Sequence, residues 1–501
     1  MSAQQKSLIL VTVDCLRADH CGFYGYQRPT TPFLDTMAAE SVVVPTAVIA
    51  GAPTYYSFPA ILASRMPLAL GRDVIGLAPG ENTLAAALRE AGYATAAFSA
   101  ANPYISQRFG YGQGFDVFQD FLDFDPPPNQ VGAEDSGSEQ DSAEIVGARG
   151  RINRALKRAA HAAGLGHLYD DLYFEYCIRI AAPPVDSMDA LRKFPSAEAI
   201  VEHATVWLSS VGPRPFFLWL HLMDPHSPYY PSPAAFQELT GRPASPIRAR
   251  YLNEFWNRSD LTVGRLQSQK ESVVELYDAG IRSVDSQVAK LVCFLKQAKR
   301  WDDCTFVLTA DHGEEFLDHG RRYHAPVSLH EEIAHVPLLI RVPDATKKEV
   351  PAAPFSHLNL APTLLEILGV PAPQSFQGTS RWCRLQQAAP SDDPVITECV
   401  YGCTNPFRSR DRMGARLLSI RNSRYKLVIR VAEGTGEDMY DLEMDPTEQR
   451  PMRQGEQNEV RKRLLQAACV HMQKMLDGTD ARAPLRARMR DLRIELQSNS
   501  R

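Results

Sequence analysis

The stretch that most constrains this chain is Phe306-Val307-Leu308-Thr309-Ala310-Asp311-His312-Gly313-Glu314-Glu315. An apolar run leads straight into an Asp-His pair, a glycine and two carboxylates. Such a run reads as a buried strand. It delivers two metal-ligand side chains to the strand's carboxyl end, the edge where sites form in open α/β sheets. A second edge of this kind opens the chain, where Leu8-Ile9-Leu10-Val11-Thr12-Val13 runs into Asp14-Cys15-Leu16-Arg17-Ala18-Asp19-His20. An isolated Asp-His pair carries little weight, because most are surface residues. Two strand ends, each presenting a carboxylate and roughly three hundred residues apart, point to one shared metal centre.

The rest of the chain alternates in the same way. Residues 93–98, 216–222, 305–309 and 336–340 read as further strands, and 32–40, 83–92 and 277–297 as helices. Gly92 is placed to close the second of these helices. Strands alternating with helices predict an α/β fold: a large, mostly parallel sheet between helical layers. Residues 124–150 are rich in Pro, Gly, Ser, Glu and Asp and read as a loop or disordered insertion. Residues 151–195, basic and then aromatic, read as helices beside the site, as a lid or as a surface excursion.

After about residue 385 the pattern changes. Residues 416–421 and 425–430 form two antiparallel strands around a turn at Asn422-Ser423, 439–442 a third, and about 459–476 a helix. The expected division is a large α/β domain over 1–385, a small C-terminal subdomain over 386–478 with an antiparallel sheet and packed helix, and a mobile tail over 479–501.

Composition excludes several classes. A net charge of −5 leaves no basic face for nucleic acid. No run approaches the roughly 18 apolar residues that span a bilayer, and residues 1–7 lack a signal-peptide pattern. The expectation is a cytoplasmic protein without a membrane span; the oligomeric state is open. Nine scattered cysteines without a Cys-x-x-Cys pair indicate neither a disulfide framework nor a structural zinc site.

Four segments carry candidate chemistry. Asp14, Asp311 and His312 are metal candidates. Carboxylates suit a hard cation, and the imidazole admits Mn²⁺ or Zn²⁺ as well. Gly51-Ala52-Pro53-Thr54-Tyr55-Tyr56-Ser57-Phe58-Pro59 is a turn entering a helix. A hydroxyl there, from Thr54 or Ser57, lies near free amides that favour an anion and is open to activation by a metal; the plainer reading is a helix cap. His226, between Pro225 and Pro228 after a strand, suits a donor to an anionic oxygen or a general acid. Among His319, Arg321, Arg322 and His324, His324 is the choice for positive charge facing a tetrahedral anion, with Arg322 a further substrate contact.

With these residues in place the chain resembles the sulfatase family of the alkaline phosphatase-like superfamily. The matching residues are Val11-Thr12-Val13-Asp14-x-Leu16-Arg17-Ala18-Asp19-His20, Asp224-Pro225-His226-x-Pro228-Tyr229, Thr309-Ala310-Asp311-His312-Gly313-Glu314-Glu315, Val336-Pro337-Leu338, Ala361-Pro362-Thr363-Leu364-Leu365, Arg424-Tyr425-Lys426-Leu427 and Tyr440-Asp441-Leu442-x-x-Asp445-Pro446-x-Glu448. They run in the family's order from residue 8 to about 450. The resemblance implies an alkaline phosphatase-like fold and a hydrolase that cleaves a sulfate or phosphate-type ester, a small anionic substrate.

The chain departs from the family at informative places. Sulfatases resemble one another in a Cys-x-Pro-x-Arg motif whose cysteine or serine becomes formylglycine; here Thr54 and Phe58 stand at the first and last positions. The resemblance then implies an unmodified Thr54 nucleophile, as in phosphodiesterase and phosphonate-hydrolase members. One divalent ion (Mn, Ca or Zn) would be held by Asp14, Asp311 and His312 with the Thr54 oxygen, and Ser57, His226 and Arg322 would contact substrate. Cys15 replaces a frequent second aspartate, and the family's active-site lysine has no clear counterpart. A phosphodiester or phosphonate ester is narrowly preferred to a sulfate ester. The alternatives are group transfer to an alcohol acceptor and a non-catalytic metal-binding member.

Overall fold

The Ser7–Val13 strand lies at the centre of a seven-stranded sheet among the described residues. It pairs in parallel with Phe216–Leu222 on one side and Cys304–Ala310 on the other. Ala94–Ser99 and Val117–Gln119 continue the parallel run beyond Phe216–Leu222. The three central strands are buried at every position. Both alternating faces must therefore be covered, which is why these segments read as unbroken apolar runs. The coordinates are a computed structural model, and they describe residues 6–72, 74–122, 148–343, 350, 353–387, 391–431, 436–453 and 455–480.

Parallel strands put their carboxyl ends on one edge. Asp14, Ala100–Asn102, Met223–His226 and Asp311–His312 therefore leave the sheet side by side. The backbone continues that order: Asp14 N donates to Leu222 O (2.8 Å) and Ala100 N to His221 O (3.0 Å).

Two groups of helices pack around the sheet. Thr54–Ala63, Leu84–Glu90 and Leu360–Ile367 contact one another, and Pro32–Ala38, Ala197–Ser210, Pro233–Thr240 and Pro246–Asn257 contact the long Val263–Gln297 helix. That helix starts well before the expected residue 277. Its first half is largely polar, with Gly264 near its start, and shows solvent so much surface that the apolar period emerges only where Val273, Val274, Leu276 and Tyr277 are buried. Gly92 has φ +90°, as the end of Leu84–Glu90 requires.

The strand expected over 336–340 is two. Pro337 cannot donate to a ladder, and the chain changes sheets there. His335–Val336 joins Ala47–Val48 and Phe355–Ser356, while Leu338–Arg341 runs antiparallel to Cys304–Ala310. Of the expected 124–150 insertion, 124–147 lies outside the described residues. Residues 148–150 belong to the Ala148–Ala162 helix, so that reading is corrected there.

Later in the chain Val395–Val400, Arg416–Arg421, Tyr425–Val431 and Glu437–Asp441 form a four-stranded antiparallel sheet. Val395–Val400 was not expected as a strand. The Asn458–Asp480 helix packs on it. This helix runs through 479–480, which the sequence assigns to a mobile tail; 481–501 lies outside the described residues. The second sheet is bound to the first. Gly51 bridges Glu398, whose carboxylate accepts from Leu68 N at 3.0 Å. No helix of the described residues is long and apolar enough to cross a membrane.

Candidate active site

Asp14, Asp311 and His312 meet at the shared edge. One ligand atom from each lies within 4.8 Å of the others, and all three side chains are buried. His312 Nε2 lies 3.7 Å from Asp14 Oδ1 and 3.5 Å from Asp311 Oδ2. Asp311 Oδ2 has no hydrogen-bond partner. Burial opposes the charge on Asp14, yet the imidazoles around it, His226 first, hold its carboxyl well below the usual range. Burial, and then the Asp14 charge, push the Asp311 carboxyl up. Two buried carboxylates with an orphaned oxygen and an imidazole between them fit a divalent cation.

Thr54 is the first residue of the Thr54–Ala63 helix, and its Oγ1 lies 3.1 Å from His312 Nε2. Neither Thr54 nor Ser57 caps that helix: the cap position is Pro53, without a side-chain bond. Ser57 is fully buried and its Oγ has no partner. Nothing places Ser57 against the carboxylates. Phe58, one residue further, packs its ring 5.1 Å from His221 and 5.5 Å from Trp219. Phe58 is fully buried in the core, with its ring against that of His221, which itself adjoins Asp14.

The Asp224–His226 loop is anchored by Asp224, a wholly buried carboxylate that accepts from Ala197 N (2.8 Å) and Arg192 Nη1 (3.0 Å). This brings His226 into reach of Asp14 and Cys15, each offering an atom within 4.8 Å. His324 stands beside them. Its ring centre is 5.1 Å from that of His226 and 4.5 Å from that of His312. His324 Nδ1 lies 3.1 Å from Glu314 Oε1 and 3.3 Å from Cys15 Sγ.

Two residues of the 319–324 stretch are not brought to the cluster. Arg322 donates to the carbonyls of Trp256 and Arg258. His319 lies 2.6 Å from Glu332. Arg322, expected to contact substrate, spends its Nη1 on those two carbonyls. Successive side chains of the short Arg322–Tyr323 strand face opposite ways, and Tyr323 takes φ +68°, which re-aims the chain toward His324.

Three further residues border the site, and of these His221 and Asn102 carried no sequence signal of their own. His221 Nε2 lies 3.3 Å from Asp14 Oδ2, and its Nδ1 3.0 Å from Thr12 Oγ1. Asn102 donates to Asp14 Oδ2 at 3.0 Å. Cys15 donates to Asp14 Oδ1 at 3.2 Å, from a backbone with φ +62°, a conformation rare outside glycine. Burial and then Glu314 push the Cys15 thiol up.

One helix segment holds two of these loops. Tyr277 Oη donates to Cys15 O (2.7 Å) and accepts from Arg17 N (3.0 Å). Gly280, one turn on, lies so close to the next loop that a Cβ there would sit 2.5 Å from Asp224 O.

Comparison with known proteins decides the family. The family model described as "Sulfatase" matches residues 6–370. The chain belongs to the sulfatase family. A model for the C-terminal part of N-sulphoglucosamine sulphohydrolase matches residues 320–474 of the same sulfatase-family chain. Arylsulfatase K of Xenopus laevis is 24% identical over 274 residues, covering 50% of each chain. The multifunctional alkaline phosphatase superfamily protein PehA of Trinickia caryophylli is also 24% identical, over 40% of this chain and 43% of its own. This sulfatase-family chain thus spans about half the length of the curated relatives it matches. The phosphonate monoester hydrolase of Agrobacterium radiobacter superposes with a TM-score of 0.62 at 17% identity, covering 95% of this chain and 96% of its own. That last likeness establishes the fold.

Proposed function

We propose that this sulfatase-family chain is a metal-dependent hydrolase of a phosphate-type ester, a phosphodiester or phosphonate ester before a sulfate ester, with Thr54 as nucleophile. The observation that carries this is the Thr54 hydroxyl, 3.1 Å from His312 inside a buried carboxylate–imidazole cluster. Asp14, Asp311 and His312 would hold the ion, with the Thr54 oxygen adjoining it. When bound, the ion would lower the pKa of the Thr54 hydroxyl and oppose charge on the tetrahedral centre. Thr54 Oγ1 forms the bond to phosphorus as the ester oxygen departs, and water then releases the group from Thr54. His324 and His226 face the same cluster from outside and are placed to contact non-bridging oxygens or to protonate the departing oxygen.

The preference for a phosphate-type ester follows from the charges that are missing. A sulfate monoester needs strong help for its leaving group, and at position 58 an aromatic ring stands in the guanidinium's place. A phosphodiester or phosphonate ester also carries a second organic substituent, which a sulfate monoester lacks and which suits an apolar neighbour. The phosphonate monoester hydrolase and PehA among the similar proteins support this reading, and arylsulfatase K supports the sulfate alternative.

Aryl sulfate, phosphate monoester, phosphodiester and phosphonate ester substrates should be compared with Mn²⁺, Ca²⁺ and Zn²⁺. A kcat/KM for the aryl sulfate about tenfold or more above the phosphodiester and phosphonate ester would overturn the preference. Thr54→Ala should abolish turnover with metal content retained, and Asp311→Ala should abolish metal uptake at this site. Most activity surviving in T54A but lost in Ser57→Ala would move the nucleophile to Ser57.

A further inference from the structure

Glu314 and Glu315 are adjacent, and their side chains leave the chain in opposite directions, as in any extended segment. Glu314 faces Tyr229 and His324 beside the reactive cluster. Glu315 faces away and meets a second group of metal-ligand side chains. One atom each from Glu315, His319, His330 and Glu332 lies within 4.8 Å of all the others. None of the four belongs to the site described above.

One member of the group is unpaired. Glu315 is fully buried, yet neither carboxylate oxygen has a hydrogen-bond partner. No described basic group forms an ion pair with it. The charged form of a carboxyl group buried in this way is costly unless a cation meets it. The imidazoles, by contrast, are held in place from behind. His319 Nε2 lies 3.1 Å from the Glu448 carbonyl oxygen, and His330 Nδ1 lies 2.9 Å from Ser328 Oγ. The two rings stack with centres 3.7 Å apart. In His319 the nitrogen opposite the carbonyl, Nδ1, faces Glu332 at 2.6 Å, the support that histidine ligands usually have, while His330 Nδ1 itself lies 3.9 Å from Glu332.

We propose that Glu315, His319, His330 and Glu332 form a second divalent cation site, distinct from the Asp14–Asp311–His312 cluster and suited to zinc. Two imidazoles and two carboxylates make a four-ligand set of borderline hardness, which Zn²⁺ accepts and Ca²⁺ does not favour. All four ligands would be protein groups, so the ion is structural. It would clasp the segment that returns from Glu315 to Glu332, with His324 between them, against the chain at Glu448. The catalytic reading does not depend on it.

The test uses full-length protein in which the other cluster is disabled by Asp14→Asn and Asp311→Asn. After loading with Zn²⁺ and dialysis into metal-free buffer, elemental analysis should find one equivalent per chain. Adding Glu315→Gln and His330→Gln should bring that to none, with the circular dichroism spectrum preserved. No zinc in D14N/D311N protein overturns the proposal, as does an equivalent that survives all four substitutions. Should the fourfold variant fail to fold, Co²⁺ in D14N/D311N protein reads the ligands directly. A tetrahedral visible spectrum without a thiolate charge-transfer band is expected; a thiolate band would place the ion on Cys15 and overturn the site.

Discussion

Cys15 puts a thiol directly after Asp14, a candidate metal ligand, 3.3 Å from His324 and hydrogen-bonded to Asp14. A soft donor there disfavours a calcium-type ion relative to zinc or manganese. Cys15→Asp should supply the missing hard oxygen and raise the affinity for Ca²⁺ relative to Zn²⁺ by roughly tenfold or more. Competition titration measures it, and an unchanged ratio would mean that residue 15 does not face the ion. At this scale the sequence was legible wherever chemistry followed an apolar run. Asp14, Asp311 and His312 could be placed because a buried strand fixes where its last residue goes. His221 and Asn102 could not. The first sits inside a strand, where its alternation gives a face but no partner, and the second joins Asp14 only through sheet order. Around Arg322 the sequence was silent for a related reason: neighbouring residues cannot be told apart until a backbone angle such as that of Tyr323 says which one faces inward.

Among the elements, the Val263–Gln297 helix does most of the positioning, and two tests belong here. Helix propensity alone makes Gly280→Ala stabilising by about 1 kcal/mol. The structure reverses that sign, because the new methyl would meet Asp224 O at 2.5 Å and Pro225 Cα at 3.0 Å, both backbone. The His226 loop must move, and kcat/KM should fall by about tenfold or more, since misplacement of that order carries such losses. Unchanged kinetics would show that the loop finds room without losing its geometry. The second test concerns His357, which is fully buried beneath the Cys304–Ala310 strand with Nε2 2.9 Å from Thr309 Oγ1. Burial pushes this imidazole down from 6.5 to about 3. Between those values the unfolded chain takes up a proton that the folded one refuses, so stability rises with pH there. The contribution is complete above about 6.5 and is lost as pH falls toward 3. The urea midpoint should therefore drop between pH 7.5 and pH 5, and His357→Gln should flatten that drop. An equal slope in both proteins would remove His357 as its source. Elements were the most legible level where period and turn residues agreed, as in Phe216–Leu222. They were least legible where one residue cut a pattern, as Pro337 does, or where polar sequence extended a helix, as before Tyr277.

For the molecule as a whole, the junction between the four-stranded C-terminal sheet and the Glu331–Ala334 helix is the part most exposed to a single change. Lys426, on the second sheet, is buried between Glu331 and Glu448 with its Nζ 3.0 Å from each, and Arg421 reaches Glu331 at 2.7 Å. Burial opposes the lysine's charge, but Glu448 and Glu331 hold its pKa up. Lys426→Met would strand the buried Glu448 carboxylate and leave Glu331 to Arg421, and should cost roughly 3–5 kcal/mol, read from chemical denaturation. Combining it with Glu448→Gln should recover part of that loss; an additive loss would show that the charges are not coupled. Sequence order hid this junction, since 331 and 426 lie far apart in different patterns. The strand order has a consequence for synthesis. Ser7–Val13 takes its central place only between Phe216–Leu222 and Cys304–Ala310. At ribosomal speeds roughly 10–40 s pass before the first of these partners is made, and the second follows later still. Of the central strands, the one leading to Asp14 is made first and waits longest for its two neighbours. An apolar strand with two open edges invites wrong pairing, so the pace of elongation, and whatever shelters the emerging chain, sets how often this edge closes correctly.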